Sequence, residues 1–304
     1  MTASVLAALL LAAAAGNEDR LADALQQLRS NDPIARARSA RTLGTMDDPR
    51  AVAALVGVVG DADAGVRLAV VQALHGPLTL AETDTRPADA LARALGDADP
   101  DVRAAAADSL DTSNPASRRA LPALAKALGD ASPDVRRAVL GTLGSIGDST
   151  VFAAVAAVLD GPDDGLKPAA AEALGGLRDK RGVEPLLKAV AAEDERLRAA
   201  AAEALGALED PRALAPLPIV LKSDPVPRVR AAAARGLGRA ASGDVVAPLK
   251  AAACGDDHDA VVRAAAVTAL GRIGTPLALD ALRCALRDGD ANVRDAAQEA
   301  LDRR

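Results

Sequence analysis

A cation followed seven residues later by a leucine recurs along this chain at nearly constant spacing. The cations are Arg36, Arg67, Arg103, Arg136, Lys167, Arg198, Arg230, Arg263 and Arg294. The leucines are Leu43, Leu74, Leu110, Leu143, Leu174, Leu205, Leu237, Leu270 and Leu301. Successive intervals are 31, 36, 33, 31, 31, 32, 33 and 31 residues. A fixed period of this length is the mark of stacked repeats, each a small supersecondary unit.

Residues 130–159, DASPDVRRAVLGTLGSIGDSTVFAAVAAVL, show what one unit is made of. Ser132 is a good N-cap, and Pro133 sits at the first helical position, where its missing N–H costs nothing. Val135, Val139, Leu143 and Ile146 form one apolar stripe at helical spacing. Gly147 suits the left-handed position past the helix end, and Asp148 caps a second helix carrying Val151, Val155, Val158 and Leu159. A lone helix pair of this size buries too little apolar surface to stand alone, so neighbours must stack.

The motif Asp-x-x-Val-Arg-x-Ala-Ala-x-x-x-Leu-Gly, nearly intact at 99–110, 132–144 and 262–271, resembles the HEAT-repeat family, in particular its short phycobilisome-lyase-type subclass. The resemblance covers residues 31–304. It implies an all-α fold, an α-solenoid in which about nine antiparallel helix pairs stack into a right-handed superhelix. First helices would lie on the convex side and second helices on the concave side. It implies little about function, because one scaffold serves many roles.

Composition agrees with thin helix layers. Half of the 304 residues are hydrophobic, and Phe152 is the only aromatic residue. No Ser- or Pro-rich linker interrupts the period, so residues 17–304 read as one solenoid behind an apolar N-terminal segment, 1–16. Residues 3–15 are apolar on every side, too short for a comfortable membrane span of roughly 20 residues. They have the length of a signal-peptide core, with Ala13-Ala14-Ala15 before Gly16 as a cleavage-like site, but no cation precedes them. Export and a cytoplasmic location both stay open. Asn17 would cap a helix over 18–29. The net charge of −6 argues against a general nucleic-acid binder. Cys254 and Cys284 occupy non-equivalent repeat positions, which favours two buried or half-buried free thiols over a disulfide between adjacent layers.

The repeated arginines Arg67, Arg103, Arg136, Arg198, Arg230, Arg263 and Arg294 are expected to form a structural ladder. Each guanidinium would meet an aspartate or a free backbone carbonyl in an inter-repeat turn, with Asp97, Asp130, Asp160, Asp256 and Asp288 as available acceptors. A stripe gripping a polyanion would leave the arginines without acidic neighbours, and they have many. His75 and His258 are far apart, and no Cys-x-x-Cys or His-Glu pair occurs, so neither metal nor cofactor is expected. No phosphate-cradling glycine loop or nucleophile–histidine arrangement is present.

Irregularities gather in two places. Residues 75–87, HGPLTLAETDTRP, lengthen the second repeat, and 111–117 replace the usual turn of the third. Both read as loops on one rim. Pro216 and Pro218 should bend or shorten the second helix of their repeat. The second helices carry mainly cations, opposed within those helices by Asp89, Glu184 and Asp280. Arg118, Arg119, Arg181 and Arg212 lie near helix N-termini, where the dipole disfavours them, so the inner surface is expected to be positive. The expectation is a monomeric, non-enzymatic scaffold binding a protein or peptide, with an acidic partner as the candidate, on its concave face. The contacts would be Arg93, Arg118, Arg119, Lys126, His75 and Thr83. The alternative is a lyase-like or accessory subunit acting on a bound cofactor or enzyme partner.

Overall fold

The computed structural model describes residues 16–80, 84–110, 115–239, 245–257 and 259–303. Residues 1–15, Thr83 and His258 therefore lie outside the described residues. Contacts cluster into two compact units, Met1–Thr142 and Leu143–Arg304, which are taken separately. Every described element is a helix. In the first unit these are α1 over 16–27, α2 (Pro33–Gly44), α3 (Pro49–Gly57), α4 (Ala64–Leu80), α5 (Arg86–Ala94), α6 (Pro100–Ser109) and α7 (Leu121–Ala127), the last preceded by a 3-10 turn, Pro115–Ala120. Helix α8 (Pro133–Ile146) contains the unit boundary. The second unit continues with α9 (Phe152–Leu159), α10 (Lys167–Leu177), α11 (Val183–Ala189), α12 (Glu195–Ala207), α13 (Pro211–Leu214) and α14 (Leu217–Ser223). It ends with α15 (Pro227–Arg239), α16 (Val246–Ala251), α17 (Ala260–Ile273), α18 (Pro276–Ala285) and α19 (Ala291–Asp302).

The helices pack in two rows. First helices touch first helices: α2 on α4 on α6 in one unit, and α10, α12, α15, α17 and α19 in order in the other. Second helices do the same, with α3 on α5 on α7 and α14 on α16 on α18. This chain-order stacking of helix pairs is the arrangement of an α-solenoid. The core lies between the rows. Leu43, Leu74 and Leu110 from the first row meet Leu55, Leu91 and Leu124 from the second, all fully buried. In the second unit Leu174, Leu205, Leu237 and Leu270 are equally buried, as are Leu186, Leu217 and Leu249. A valine just before six of the ladder arginines (Val66, Val102, Val135, Val229, Val262, Val293) and Leu197 before Arg198 are also buried, so the period places one side chain in the core and the next at the seam.

Glycine after the repeated leucine has a packing cause. A Cβ on Gly206 of α12 would collide with the backbone of Gly236 on α15, so the two helices approach at a distance only glycine permits. Gly147 does terminate α8 with φ +67°, its N–H donating to Leu143 O at 3.1 Å. The second-helix caps are aspartates: Asp48 accepts from Arg50 N at 2.7 Å and Asp148 from Thr150 N at 3.0 Å.

Three expectations need correction. Residues 75–80 are not a loop, because α4 runs on through them to Leu80. A Gly-Pro pair is a breaker by local propensity, which is a weak prior on where a helix ends. Residues 115–117 belong to the 3-10 turn, while 111–114 lie outside the described residues. Asn17 sits inside α1, not at its cap. The double proline acts as expected: the second helix of that repeat divides into α13 and α14 at residues 215–216.

The seam between repeats is a chain of arginine–aspartate rungs. Arg36 donates to Asp61, Arg67 to Asp97 and Arg103 to Asp130, each through Nε and Nη2 to the two carboxylate oxygens at 2.7–2.9 Å. Arg198 pairs with Asp224, Arg230 with Asp257 and Arg263 with Asp288 in the same way. The remaining nitrogen, Nη1, donates to the carbonyl six residues upstream. That carbonyl belongs to the aspartate of the preceding rung: Arg103 to Asp97 O at 2.8 Å, Arg136 to Asp130 O at 2.6 Å, Arg230 to Asp224 O at 2.9 Å and Arg294 to Asp288 O at 2.7 Å. Each of these aspartates also accepts a backbone N–H two residues on, as Asp97 does from Asp99 N. Arg230 takes Asp257 where Asp256 was expected, and Asp61 and Asp224 join as acceptors. Where the aspartate position holds Ala192, the cation is Lys167, which turns back to Asp164 at 2.7 Å. Arg198 still reaches the Ala192 carbonyl at 3.0 Å.

The rung arginines hold the carboxyls of Asp61, Asp97, Asp130 and Asp288 below the usual carboxylate range, chiefly by direct hydrogen bonding. A carboxyl depressed in the folded state stabilises fully above its unfolded pKa of about 3.9, and that contribution is lost as pH falls through the folded value. Thermal unfolding scans should therefore show a flat midpoint from neutrality down to about pH 5 and a fall below about pH 4. A midpoint that rises on acidification would contradict the assignment. At neutral pH, Asp97→Ala strands the Arg67 guanidinium and should cost about 2 kcal/mol in urea unfolding.

Candidate partner-binding face

The outer face of the second-helix row begins with aspartates at helix N-termini. In four places an aspartate is followed two residues later by an arginine: Asp48 and Arg50, Asp84 and Arg86, Asp179 and Arg181, Asp210 and Arg212. The carboxylate accepts the arginine's backbone N–H at 2.7–3.0 Å and its guanidinium at 2.5–3.0 Å. These four carboxyls are held low by the arginine they bind. The clasp explains how a cation tolerates the positive end of a helix: the capping carboxylate sits between them.

The clasped arginines then reach back to the preceding second helix. Arg50 Nη2 meets Glu18 Oε1 of α1 at 2.8 Å, Arg181 Nη2 donates to Ser149 O at 3.0 Å, and Arg212 Nη1 lies 4.0 Å from Glu184 of α11. Arg119, in the 3-10 turn before α7, pairs with Asp89 of α5 at 3.0 Å. The Arg181 guanidinium also stacks 4.4 Å above the ring of Phe152. A second ladder thus runs along this face. It points toward the N-terminus, while the arginine–aspartate rungs of the first row point toward the C-terminus.

Arg119, Arg181 and Arg212 are thus each engaged by a carboxylate of the protein itself. Asp89, Glu184 and Asp280 hold Arg119, Arg212 and Arg283 respectively. What the face offers lies at the other ends of the helices. Arg93 in the last turn of α5 and Lys126 in the last turn of α7 are exposed and occupy the same register, four residues before Asp97 and Asp130. Their helices pack directly on each other. Arg118 is exposed beside Arg119. His75 is exposed on α4, its Nδ1 3.5 Å from Ser109 O, at the register where most repeats carry glycine.

Two groups here were not legible in the sequence. Ser117, in the 3-10 turn, is 1% exposed and its hydroxyl has no hydrogen-bond partner. Nothing in the repeat pattern distinguishes it. Cys254 and Cys284 are joined as a disulfide with Cα atoms 5.7 Å apart, where free thiols were expected. Residues Ala252–Asp256 form a π turn, with Cys254 at φ −92°, ψ 16° and Gly255 at φ +108°. That turn breaks the register on which the comparison of repeat positions depended.

Surface grooves lie between neighbouring helices: one of about 350 Å³, between α17 and α19, is lined by Thr268, Arg272 and Glu299, and one of about 470 Å³, between α1 and α2, by Arg20, Asp23 and Arg38. Among the described residues no group of three or more His, Cys, Asp or Glu side chains is arranged to hold a metal ion, and no helix is long and apolar enough to cross a membrane.

The family described as HEAT repeats matches residues 21–111, 87–174, 153–235 and 217–302. The chain belongs to the HEAT-repeat family. Solved structures extend the likeness at the level of fold. Kap95p, from a complex with RanGDP, matches with a TM-score of 0.60 at 18% identity over 91% of this chain and 44% of its own. The complex of CpcE and CpcF of phycocyanin lyase from Nostoc sp. PCC7120 gives 0.51 at 21% identity, over 85% of this chain and 97% of that one. Kap121p bound to the extreme C-terminus of the protein phosphatase Cdc14p gives 0.52 at 16% identity. This HEAT-repeat chain spans 44% and 37% of the two karyopherin chains. A search of curated protein sequences finds no match.

A buried hydroxyl without a partner carries its desolvation cost for no return. Ser117→Ala should therefore raise stability by about 1 kcal/mol in urea unfolding. A loss of similar size would show that the hydroxyl is used.

Proposed function

We propose that this HEAT-repeat protein is a non-enzymatic scaffold that captures a protein or peptide partner on the face formed by its second helices. The partner makes its charged contacts with Arg93 and Lys126. The observation that carries the reading is the contrast between the two ends of this face. At the N-terminal ends, Arg50, Arg86, Arg119, Arg181 and Arg212 are tied to carboxylates of the protein itself. At the C-terminal ends, Arg93 and Lys126 stand exposed in matching register on helices that touch. Adjacent packed helices lie roughly 8–10 Å apart; carboxylates two residues apart on an extended chain share one face and lie about 6.6 Å apart, and the long arginine and lysine side chains close the remaining gap. An acidic segment running across the row fits both cations.

Row-wise stacking repeats this small contact along the face, and many modest contacts over a large area suit peptide or domain recognition better than enclosure of a small substrate. Arg118 and His75, both exposed in the same unit, extend the face toward the 3-10 turn and the end of α4. Kap95p with RanGDP and Kap121p with the extreme C-terminus of Cdc14p illustrate that this fold can serve such a role.

The test is a double charge reversal, Arg93→Glu with Lys126→Glu, compared with wild type by quantitative co-purification. Partners captured by wild type should drop at least about tenfold, equivalent to about 1.4 kcal/mol. The melting temperature should change little, because neither side chain is buried. Equal capture by both proteins would refute the reading.

A further inference from the structure

The Cys254–Cys284 disulfide is the sole covalent tie between repeats among the described residues. It fastens the π turn Ala252–Asp256 to α18 across 30 residues of sequence. Both cysteines are exposed, while their neighbours Ala253, Ala281, Leu282 and Ala285 are buried. Small thiols can therefore reach the sulfurs without opening the core.

The position of this tie matters more than its presence. The π turn ends at Asp256, and the next residue, Asp257, is a rung of the arginine ladder. Its carboxylate takes Nε and Nη2 of Arg230 at 2.5 and 2.8 Å, and its carbonyl takes Nη1 of Arg263 at 3.1 Å. At other rungs an ordinary helical turn delivers the acceptor. Asp97 N–H closes on Ala94 O, Asp130 N–H on Ala127 O and Asp288 N–H on Ala285 O, each at 3.1 Å. Before Asp257 the backbone instead leaves helical geometry at Cys254 and turns through Gly255 at positive φ. The disulfide fixes the segment where regular helix does not.

We propose that Cys254 and Cys284 form a redox-controlled joint that sets the rigidity of the Arg230–Asp257–Arg263 rung. Closure is thiol–disulfide exchange with a low-molecular-weight disulfide: the two protein thiols become one protein disulfide, and the small disulfide leaves as two thiols. Two equivalents of small thiol reverse it. In the closed form the π turn is pinned to α18 and Asp257 is held against both arginines. In the open form the turn keeps its hydrogen bonds but loses its covalent limit, and the rung opens locally more often.

The test uses the full chain, treated with oxidised glutathione or with dithiothreitol, then followed by hydrogen exchange and by alkylation with mass analysis. After oxidised glutathione, neither cysteine should be alkylated in the unfolded, unreduced protein. After dithiothreitol, both should be, and amides between 252 and 259 should exchange about tenfold faster or more, with α12 unchanged. The double variant Cys254→Ser with Cys284→Ser should exchange at the reduced rate under both treatments. The joint is refuted if the two cysteines stay alkylatable after oxidation, if exchange over 252–259 is the same in both forms, or if the serine variant responds to the reagents as wild type does.

Discussion

The bidentate pair between an arginine in one repeat and an aspartate in the turn leading into the next holds this architecture in register. It is half-buried, with arginine side chains 13–16% exposed and aspartates 9–11%. That setting strengthens a charged hydrogen bond without the full desolvation cost of the interior. Each aspartate does more than accept a guanidinium. It also fixes its own turn through a backbone N–H, and its carbonyl receives the next arginine. Removing one rung therefore disturbs two neighbours, and the stack behaves as a series of nearest-neighbour contacts. The exception is instructive: where alanine replaces the aspartate at 192, the partner cation has become Lys167, which serves its own repeat.

The second ladder divides the labour of the charged residues. Clasps such as Asp179 with Arg181 consume cations that would otherwise dominate the second-helix face, and they let arginine sit at the positive end of a helix. Charge that is neutralised inside the protein contributes to order along the row. Charge that is left over, at Arg93 and Lys126, is available for recognition. Counting cations by helix cannot separate these two classes, whereas pairing them by distance can.

Much of the fold was legible because the period fixes burial. The apolar residue before most ladder arginines and the leucine seven residues after them, from Leu43 to Leu270, are set by helical spacing and are buried. Gly147 is legible as a cap for the same local reason. What was not legible is set by contacts between distant residues or by departures from α geometry. The continuation of α4 to Leu80 runs against the local Gly-Pro signal, and the π turn that brings Cys254 to Cys284 and the choice of Asp257 over Asp256 depend on packing that no local pattern encodes. The engagement of the second-helix arginines was hidden for a related reason: Asp48, Asp179 and Asp210 bind the arginine two residues on, and that role appears only once the side chains are placed.

As a HEAT-repeat protein the chain supplies a repeated platform, and the function proposed above places its specificity in the few side chains that the platform does not use for itself. This account depends on the rungs acting locally. The most direct measurement is residue-resolved hydrogen exchange on wild type and Asp224→Ala, a change that removes the acceptor of Arg198 and leaves the rest of the ladder in place. The prediction is faster exchange in α12, α15 and the turn between α14 and α15, with α18 and α19 as in wild type. Uniformly faster exchange throughout the second unit, or none at all near residue 224, would contradict the claim that the repeats are joined rung by rung.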